Sequence, residues 1–184
     1  MNKITLIVGV IVLLLVIYLP VSYNGLIKAN LAVDTQWAQV EAQYQRRLDL
    51  IPNLVNGVQG TLKQEKDIFT ALANARSNYA GAKTVNDKVQ AASQIESSLG
   101  RLLAVVENYP TLKSSDVMQT LMTQLEGTEN RISVERMRFN DDVNNYNIRI
   151  KTFPGKIVAV MFGFSPRAFL QASTGADVAP KVLF

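Results

Sequence analysis

The sequence contains no cysteine and no histidine. Without cysteine there is no disulfide bond and no thiolate nucleophile, and without either residue the common zinc sites are excluded. Histidine is also the side chain used most often for general acid–base catalysis. Glycine-rich phosphate-binding loops are absent as well. These absences predict a protein that is not an enzyme and that holds no cofactor.

Two weaker chemical motifs are present, and neither predicts a site. Lys113-Ser114-Ser115 comes close to a Ser/Lys nucleophile pair, but it stands where a helix N-cap is needed. Metal-binding helical bundles usually use Glu-x-x-His pairs, which require histidine. An all-carboxylate set from Asp49, Glu107 and Glu126 has no recognisable spacing. We therefore predict no metal site.

A strong excess of charge of one sign is also missing. The chain has 19 Lys and Arg against 15 Asp and Glu, a formal net charge of +4. The small excess lies at the two ends, and the middle of the chain is nearly balanced. A mixed-charge middle is not a basic nucleic-acid face, so no nucleic acid partner is predicted.

What the sequence does contain is one long apolar run, Ile4–Val21, without a charged residue. As a helix rising ~1.5 Å per residue it would reach about 27 Å, close to the ~30 Å hydrocarbon core of a bilayer. Lys3 before the run and Tyr23 after it suit the two interfaces. A cleaved signal peptide and a buried core helix are alternatives, but the run ends in Leu-Pro-Val rather than in small residues. We predict a retained membrane anchor, residues 1–22, with the lipid bilayer as partner.

Beyond the anchor, apolar residues recur mostly three, four or seven apart, which is typical of amphipathic helices. One stripe is predicted from Val33 to Tyr79, with a kink at Pro52 because proline removes a helical hydrogen bond. A second helix begins after an N-cap at Thr84, and a third near Ser115. The predicted fold is all-α: an anchor helix leads into an elongated antiparallel bundle of three long helices, followed by a short C-terminal helix. The bundle is assigned to residues 23–152 and the short apolar helix with its tail to residues 153–184.

Polar residues inside the predicted helices offer candidate sites. Arg46, Arg47 and Asp49 could line a ligand site, but salt bridges beside the proline kink are the favoured interpretation. The asparagines between Asn140 and Asn147 could line a polar groove, but hydrogen bonds that fix helix register are favoured.

Several stretches follow one another as a family signature. They are Tyr23-Asn24-Gly25-Leu26, Trp37-Ala38-Gln39-Val40, residues 45–55 (Gln-Arg-Arg-Leu-Asp-Leu-Ile-Pro-Asn-Leu-Val), Ala75-Arg76, residues 99–113 (from Leu99-Gly100-Arg101 through Glu107-Asn108-Tyr109-Pro110 to Lys113), residues 125–132 (Leu-Glu-Gly-Thr-Glu-Asn-Arg-Ile), Phe139-Asn140-Asp141, Tyr146-Asn147 and Phe153-Pro154. With them the chain resembles the LemA family of bacterial, membrane-anchored helical proteins over nearly its whole length. The resemblance implies the same helical fold and brings no established activity, cofactor or catalytic residue. The signature residues taken as structural are Arg46, Arg47, Asp49, Pro52, Asn53, Arg101, Glu107, Tyr109, Pro110, Asn140, Tyr146 and Asn147.

The last apolar segment, Ile157–Leu170, holds more apolar side chains than one face of a short helix can present. Its excess surface can meet a groove of its own bundle, the bilayer or a neighbouring subunit. The irregular spacing of Gly163, Pro166 and the aromatic residues favours the neighbouring subunit. The predicted association surface consists of Ile157, Val160, Met161, Phe162, Phe164 and Phe169.

Three functions remain open. The favoured one is a non-enzymatic scaffold at the bacterial cytoplasmic membrane, single-pass, which self-associates as a homo-oligomer or higher-order assembly or organises partners. The second is an anchored binding module for a small ligand or peptide in a groove near Arg46, Asp49 and Arg101, and the third is a hydrolase of unrecognised type. Lys3 ahead of the anchor favours a bundle on the non-cytoplasmic side.

Overall fold

A computed structural model describes residues 3–60, 62 and 66–170 of the chain. At residues 5, 6, 8, 10–12, 14 and 15 this description is limited to the backbone. All regular structure in the described part is helical, which confirms the all-α prediction. None of the described helices combines the length and the hydropathy of a membrane span. The predicted anchor and the predicted C-terminal tail both fall partly outside the described residues.

Six helices are present in these described ranges. In chain order they are α1 Lys3–Gln59, α2 Lys66–Gly81, α3 Val85–Val106, α4 Pro110–Lys113, α5 Asp116–Lys151 and α6 Gly155–Phe162. Local chemistry sets several ends as predicted. The Thr84 hydroxyl accepts a hydrogen bond from the Asp87 N–H at 3.1 Å and caps α3. Pro110 occupies the start of α4, where its missing N–H costs nothing.

The predicted first long helix is wrong in one respect. The stripe from Val33 to Tyr79 is divided between two helices, because α1 ends at Gln59 and α2 begins at Lys66. Gly57 and Gly60 flank this end, and glycine is a poor helix former. Pro52 does not end α1, which continues through it. The kink predicted there stays a prediction.

Contacts between residues divide the described chain into two units. Unit 1 contains residues 3–40 and 135–169, and unit 2 contains residues 41–60, 62, 66–134 and 170. Helices α1 and α5 each contribute residues to both units. The predicted boundary between residues 22 and 23 therefore lies inside one continuous helix.

In unit 1, α1 and α5 run antiparallel. The Gln36 amide donates to the Glu135 carboxylate at 2.6 Å, and the Trp37 and Phe139 rings lie 5.8 Å apart, centroid to centroid. Farther toward the start of α1, Gly25 faces the Arg149 side chain. The buried apolar side chains recur seven residues apart on α1 and three or four residues apart on α5, so each helix presents one apolar face to the other. They are Leu26, Val33, Val40, Phe139, Val143, Tyr146 and Ile150.

In unit 2, four helical segments share a core, instead of the three long helices predicted. They are the end of α1, all of α2 and α3, and the start of α5. α2 and α3 form an antiparallel hairpin in which Asn78 donates to Gln94 at 3.0 Å. The rings of Tyr44 and Tyr79 join α1 to α2 at a centroid distance of 6.0 Å. The core includes Leu48, Ile51, Leu54, Leu72, Ile95, Leu99, Leu102, Met118, Leu121 and Leu125.

Candidate functional site

Helix α6 in unit 1 presents an apolar face outward. Val158 and Ala159 are buried, whereas Ile157, Val160 and Met161 are 51%, 75% and 61% exposed. These three lie at positions i, i+3 and i+4, so they form one stripe along the helix. A short helix that is apolar on nearly every side can bury only one side against its own unit. The outward stripe is therefore unsatisfied apolar surface.

Aromatic contacts fix α6 beside α1. The ring of Tyr23 lies 4.7 Å from the ring of Phe162 and 5.8 Å from that of Phe164, measured between centroids. Gly163 ends α6 in the left-handed conformation with φ of 73°, which glycine adopts without strain. A Cβ added at Gly155 would lie 2.3 Å from the Arg149 carbonyl oxygen. Both ends of α6 therefore depend on glycine.

The segment after α6 is held by side chains of α5. The Tyr146 hydroxyl donates to the Ser165 carbonyl at 3.0 Å, and Asn147 makes two hydrogen bonds to the backbone of Arg167. The Arg167 guanidinium pairs in turn with the Asp34 carboxylate of α1. Asn147 thus bonds to backbone after α6, and not to a neighbouring helix as predicted for these asparagines.

The predicted association surface can now be located. Ile157, Val160, Met161, Phe162 and Phe169 are exposed, and Phe164 is half-buried against Tyr23. A groove of the bundle that buries the whole segment does not agree with these exposures. Contact with a second copy stays a prediction.

A second exposed apolar surface lies along the start of α1. Ile4, Ile7, Leu13, Val16, Ile17 and Val21 are exposed large apolar side chains. No Lys, Arg, Asp or Glu occurs between Lys3 and Lys28. None of the described helices covers these side chains.

Unit 2 contains a cavity built around Arg47 of the signature motif. Arg47 is buried, its Nε donates to the Thr128 hydroxyl at 3.3 Å, and its guanidinium pairs with the Glu129 carboxylate. The cavity has a volume of about 340 Å³. Its lining consists of Arg47, Glu96, Leu99, Gly100, Leu103, Met122, Leu125, Glu126 and Glu129. Apolar walls with carboxylates beside them suit an organic cation.

The predicted groove near Arg46, Asp49 and Arg101 differs from this cavity. All three side chains are exposed, and none of them lines it. Asp49 accepts a hydrogen bond from Gln45 on its own helix at 2.9 Å. Sequence reasoning named Arg47 but missed its partners Thr128 and Glu129. The Leu-Glu-Gly-Thr-Glu stretch contains both, but its position on the facing helix is visible only in the fold.

The other signature residues have structural positions. Pro52 is half-buried and lines a cavity with Phe69, Asn53 is exposed, and Glu107 pairs with Lys113 at 3.6 Å. Tyr109 is half-buried at the start of α4, and Pro110 follows it. Asn140 is half-buried on α5, whereas Tyr146 and Asn147 on the same helix are buried.

Two tyrosines have perturbed acidity. Burial raises the pKa of Tyr79, and the nearby Glu41 carboxylate adds to this effect. Burial also raises the pKa of Tyr146, against the opposing influence of Arg167. Both stay protonated at neutral pH, so neither is a base there. No cluster of carboxylates in the described residues is arranged to hold a metal ion.

These features define a class, the all-helical bundle proteins, and this member exposes apolar surface on α1 and α6. The chain belongs to the LemA family, whose sequence profile matches residues 36–184.

Three relatives are similar to the chain at low sequence identity. The chain is 26% identical to Magnetosome protein MamQ 2 of Paramagnetospirillum magneticum, in an alignment that covers 84% of this chain and 66% of the relative. It is 25% identical to Magnetosome protein MamQ of Magnetospirillum gryphiswaldense with the same coverage. It is 24% identical to Protein LemA of Metamycoplasma hominis, covering 82% of this chain and 69% of the relative. The chain thus spans just under two thirds of the length of the MamQ relatives.

Proposed function

We propose that the protein is a non-enzymatic scaffold anchored in the bacterial cytoplasmic membrane by residues 4–21 of α1. The supporting observation is the exposed apolar surface of this helix segment, which has no charged residue between Lys3 and Lys28. An apolar surface of this kind is unfavourable in water and favourable in lipid. Membership of the LemA family supports a helical protein without a known reaction.

The anchor can be tested by extraction of bacterial membranes with alkaline carbonate. The wild-type chain should stay in the membrane fraction. Leu13→Arg with Val16→Arg should release it, because one arginine at the centre of a span costs about 2.5–3.5 kcal/mol. Leu31→Arg is the matched control, since Leu31 is equally exposed on α1 but lies after the run. Release of the wild-type chain would refute the anchor.

The scaffold role predicts assembly into a homo-oligomer or with protein partners. Sizing in mild detergent should give one large uniform species. A monomer that stays monomeric at high concentration and binds no protein from its own membrane would contradict this role. For topology, the bundle is proposed on the non-cytoplasmic side, and protease added to spheroplasts should digest it.

A second candidate function, an anchored binding module, is supported by the cavity around Arg47. Glu129 is paired with Arg47, which leaves the Glu96 and Glu126 carboxylates beside the apolar walls, so the candidate ligand is an organic cation or a basic peptide side chain. A cationic amphiphile such as an alkylguanidine should raise the melting temperature of the wild-type protein. Glu126→Gln should weaken this shift, and Glu107→Gln, an exposed acid away from the cavity, should not.

A further inference from the structure

We propose that α6 and the segment after it form a second membrane contact, which rests among anionic lipid headgroups beside the anchor. This proposal depends on the proposed anchor in α1, and it names a lipid surface as the partner of the α6 stripe. Three observations within unit 1 support it: the position of α6, the direction of its exposed side chains, and the charge around it.

The position of α6 follows from Tyr23. This residue comes two positions after Val21, the last residue of the apolar run, and its ring contacts Phe162 and Phe164. Two residues of helix span about 3 Å. When the run lies in the hydrocarbon core, α6 is therefore placed at the level where the bilayer meets water. Aromatic side chains are enriched at that level in membrane proteins.

The direction of the exposed α6 side chains fits a helix that lies on the membrane surface, and not one that spans the membrane. α6 has eight residues, too few to cross a bilayer. It packs on its unit through Val158 and Ala159 and exposes Ile157, Val160 and Met161 on the other side. This is the arrangement of an interfacial helix, whose apolar face enters the headgroup region without crossing.

Charge favours lipid over a two-fold contact with a second copy of the chain. Residues 143–170 contain no acid, and neither do residues 4–33. Lys28, Arg149, Lys151 and Lys156 are exposed, while Arg167 is paired with Asp34. A two-fold contact between copies would bring these like-charged surfaces together. Anionic headgroups instead complement them.

The experiment uses the full chain, which has no cysteine, so one introduced cysteine is the only thiol. Met161→Cys and Met137→Cys form a matched pair, because the two methionines are 61% and 59% exposed and both belong to unit 1. Each carries a fluorescent label in vesicles of phosphatidylglycerol or of phosphatidylcholine. Lipid-borne and aqueous quenchers then report the surroundings of the label.

The label at Met161 should be quenched from the lipid in phosphatidylglycerol, and less in phosphatidylcholine, while the label at Met137 should be quenched from water in both. Lys151→Gln with Lys156→Gln should weaken the lipid contact, by a factor of about five for each lysine. Lys66→Gln with Lys83→Gln, exposed lysines of unit 2, should leave it unchanged.

Other outcomes would overturn the proposal in distinguishable ways. A label at Leu13→Cys reports the anchor. If that label is in lipid and the Met161 label is in water, the anchor stands and the α6 contact is refuted. If the Met161 label is shielded from both quenchers, a second copy covers α6 and the lipid assignment is refuted. If the Leu13 label is also in water, the proposed anchor itself fails.

Discussion

Asn147 binds both backbone polar groups of Arg167. Its Oδ1 accepts from the Arg167 N–H at 2.9 Å, and its Nδ2 donates to the Arg167 carbonyl at 2.8 Å. The Asn147 side-chain amide thus makes the two backbone hydrogen bonds that a neighbouring β-strand would make to one residue. It connects the segment after α6 to α5 while that segment has no regular structure of its own.

Replacement of this amide should loosen the segment. Asn147→Ala removes two hydrogen bonds and leaves the half-buried backbone groups of Arg167 without this partner, so the unfolding free energy should fall by about 2 kcal/mol. Hydrogen exchange should increase at the Arg167 N–H. Asn145→Ala, at an exposed position of the same helix, should change neither measurement. Equal effects of the two variants would show that the amide pairing does not stabilise the fold.

Two tyrosine substitutions should change the free energy of unfolding in opposite directions. The buried Tyr79 hydroxyl has no hydrogen-bond partner among the described residues, so Tyr79→Phe should stabilise by up to about 1 kcal/mol. Tyr146→Phe removes the hydrogen bond to the Ser165 carbonyl and should destabilise by about 1 kcal/mol. Denaturant titrations at pH 7 measure both. A loss of stability in Tyr79→Phe would mean that its hydroxyl is satisfied.

The raised pKa of Tyr79 also predicts that the stability of the fold depends on pH in the alkaline range. Burial raises the pKa of Tyr79, so the folded state keeps the proton after the unfolded state, with pKa ~10, has lost it. Below pH ~10 both states keep the proton, and above pH ~10 the unfolded state loses it first, so the unfolding free energy falls as the pH rises toward the raised pKa. Between pH 9 and pH 11 the unfolding free energy should fall by about 1 kcal/mol less in Tyr79→Phe than in the wild type. Identical curves would refute the shift.

Two glycine substitutions should also change the stability of the fold in opposite directions. Gly155→Ala places a methyl group against the Arg149 backbone, which cannot rotate away, so α6 should detach or shift at a cost of a few kcal/mol. Gly127 lies inside α5 with open space around it, and Gly127→Ala should stabilise by up to about 1 kcal/mol. Thermal melts compare them. The Tyr23 ring should become more mobile in the first variant alone, as measured by NMR.

The core assignment of α1 can be tested at Leu54. This side chain is fully buried in unit 2, so Leu54→Ala should cost about 2–5 kcal/mol. Leu31→Ala, on an exposed position of the same helix, should cost less than about 0.5 kcal/mol. Should Leu54→Ala prove neutral in denaturant melts, the α1 face assigned to the core is wrong.

Helix ends with local chemistry could be predicted from sequence. Thr84 caps α3 as expected, and α5 begins at Asp116 and ends before Phe153-Pro154 as expected. The side chains of the predicted stripe, from Val33 to Tyr79, are largely buried. Periodicity depends on neighbours a few residues away, and those neighbours are known from the sequence.

Features that depend on distant partners could not be predicted. The division of the stripe between α1 and α2 leaves the spacing of apolar residues almost unchanged, so periodicity does not show it. Arg47 is recognisable as unusual, but its partner Thr128 is 81 residues away. Likewise, the sequence shows excess apolar surface in α6, but only the contacts of Tyr23 place it next to the end of the apolar run.

The pairing of Arg167 with Asp34, 133 residues apart, has a consequence for synthesis of the chain. Unit 2 consists almost wholly of one continuous stretch, whereas unit 1 joins the beginning of the chain to residues made near its end. As the chain leaves the ribosome, α1 emerges first, and unit 2 can fold before the partners of Tyr23 and Asp34 exist. During that interval the first segment of α1 does not yet have its unit 1 contacts, and for the proposed anchor this is the interval in which the segment can enter the bilayer.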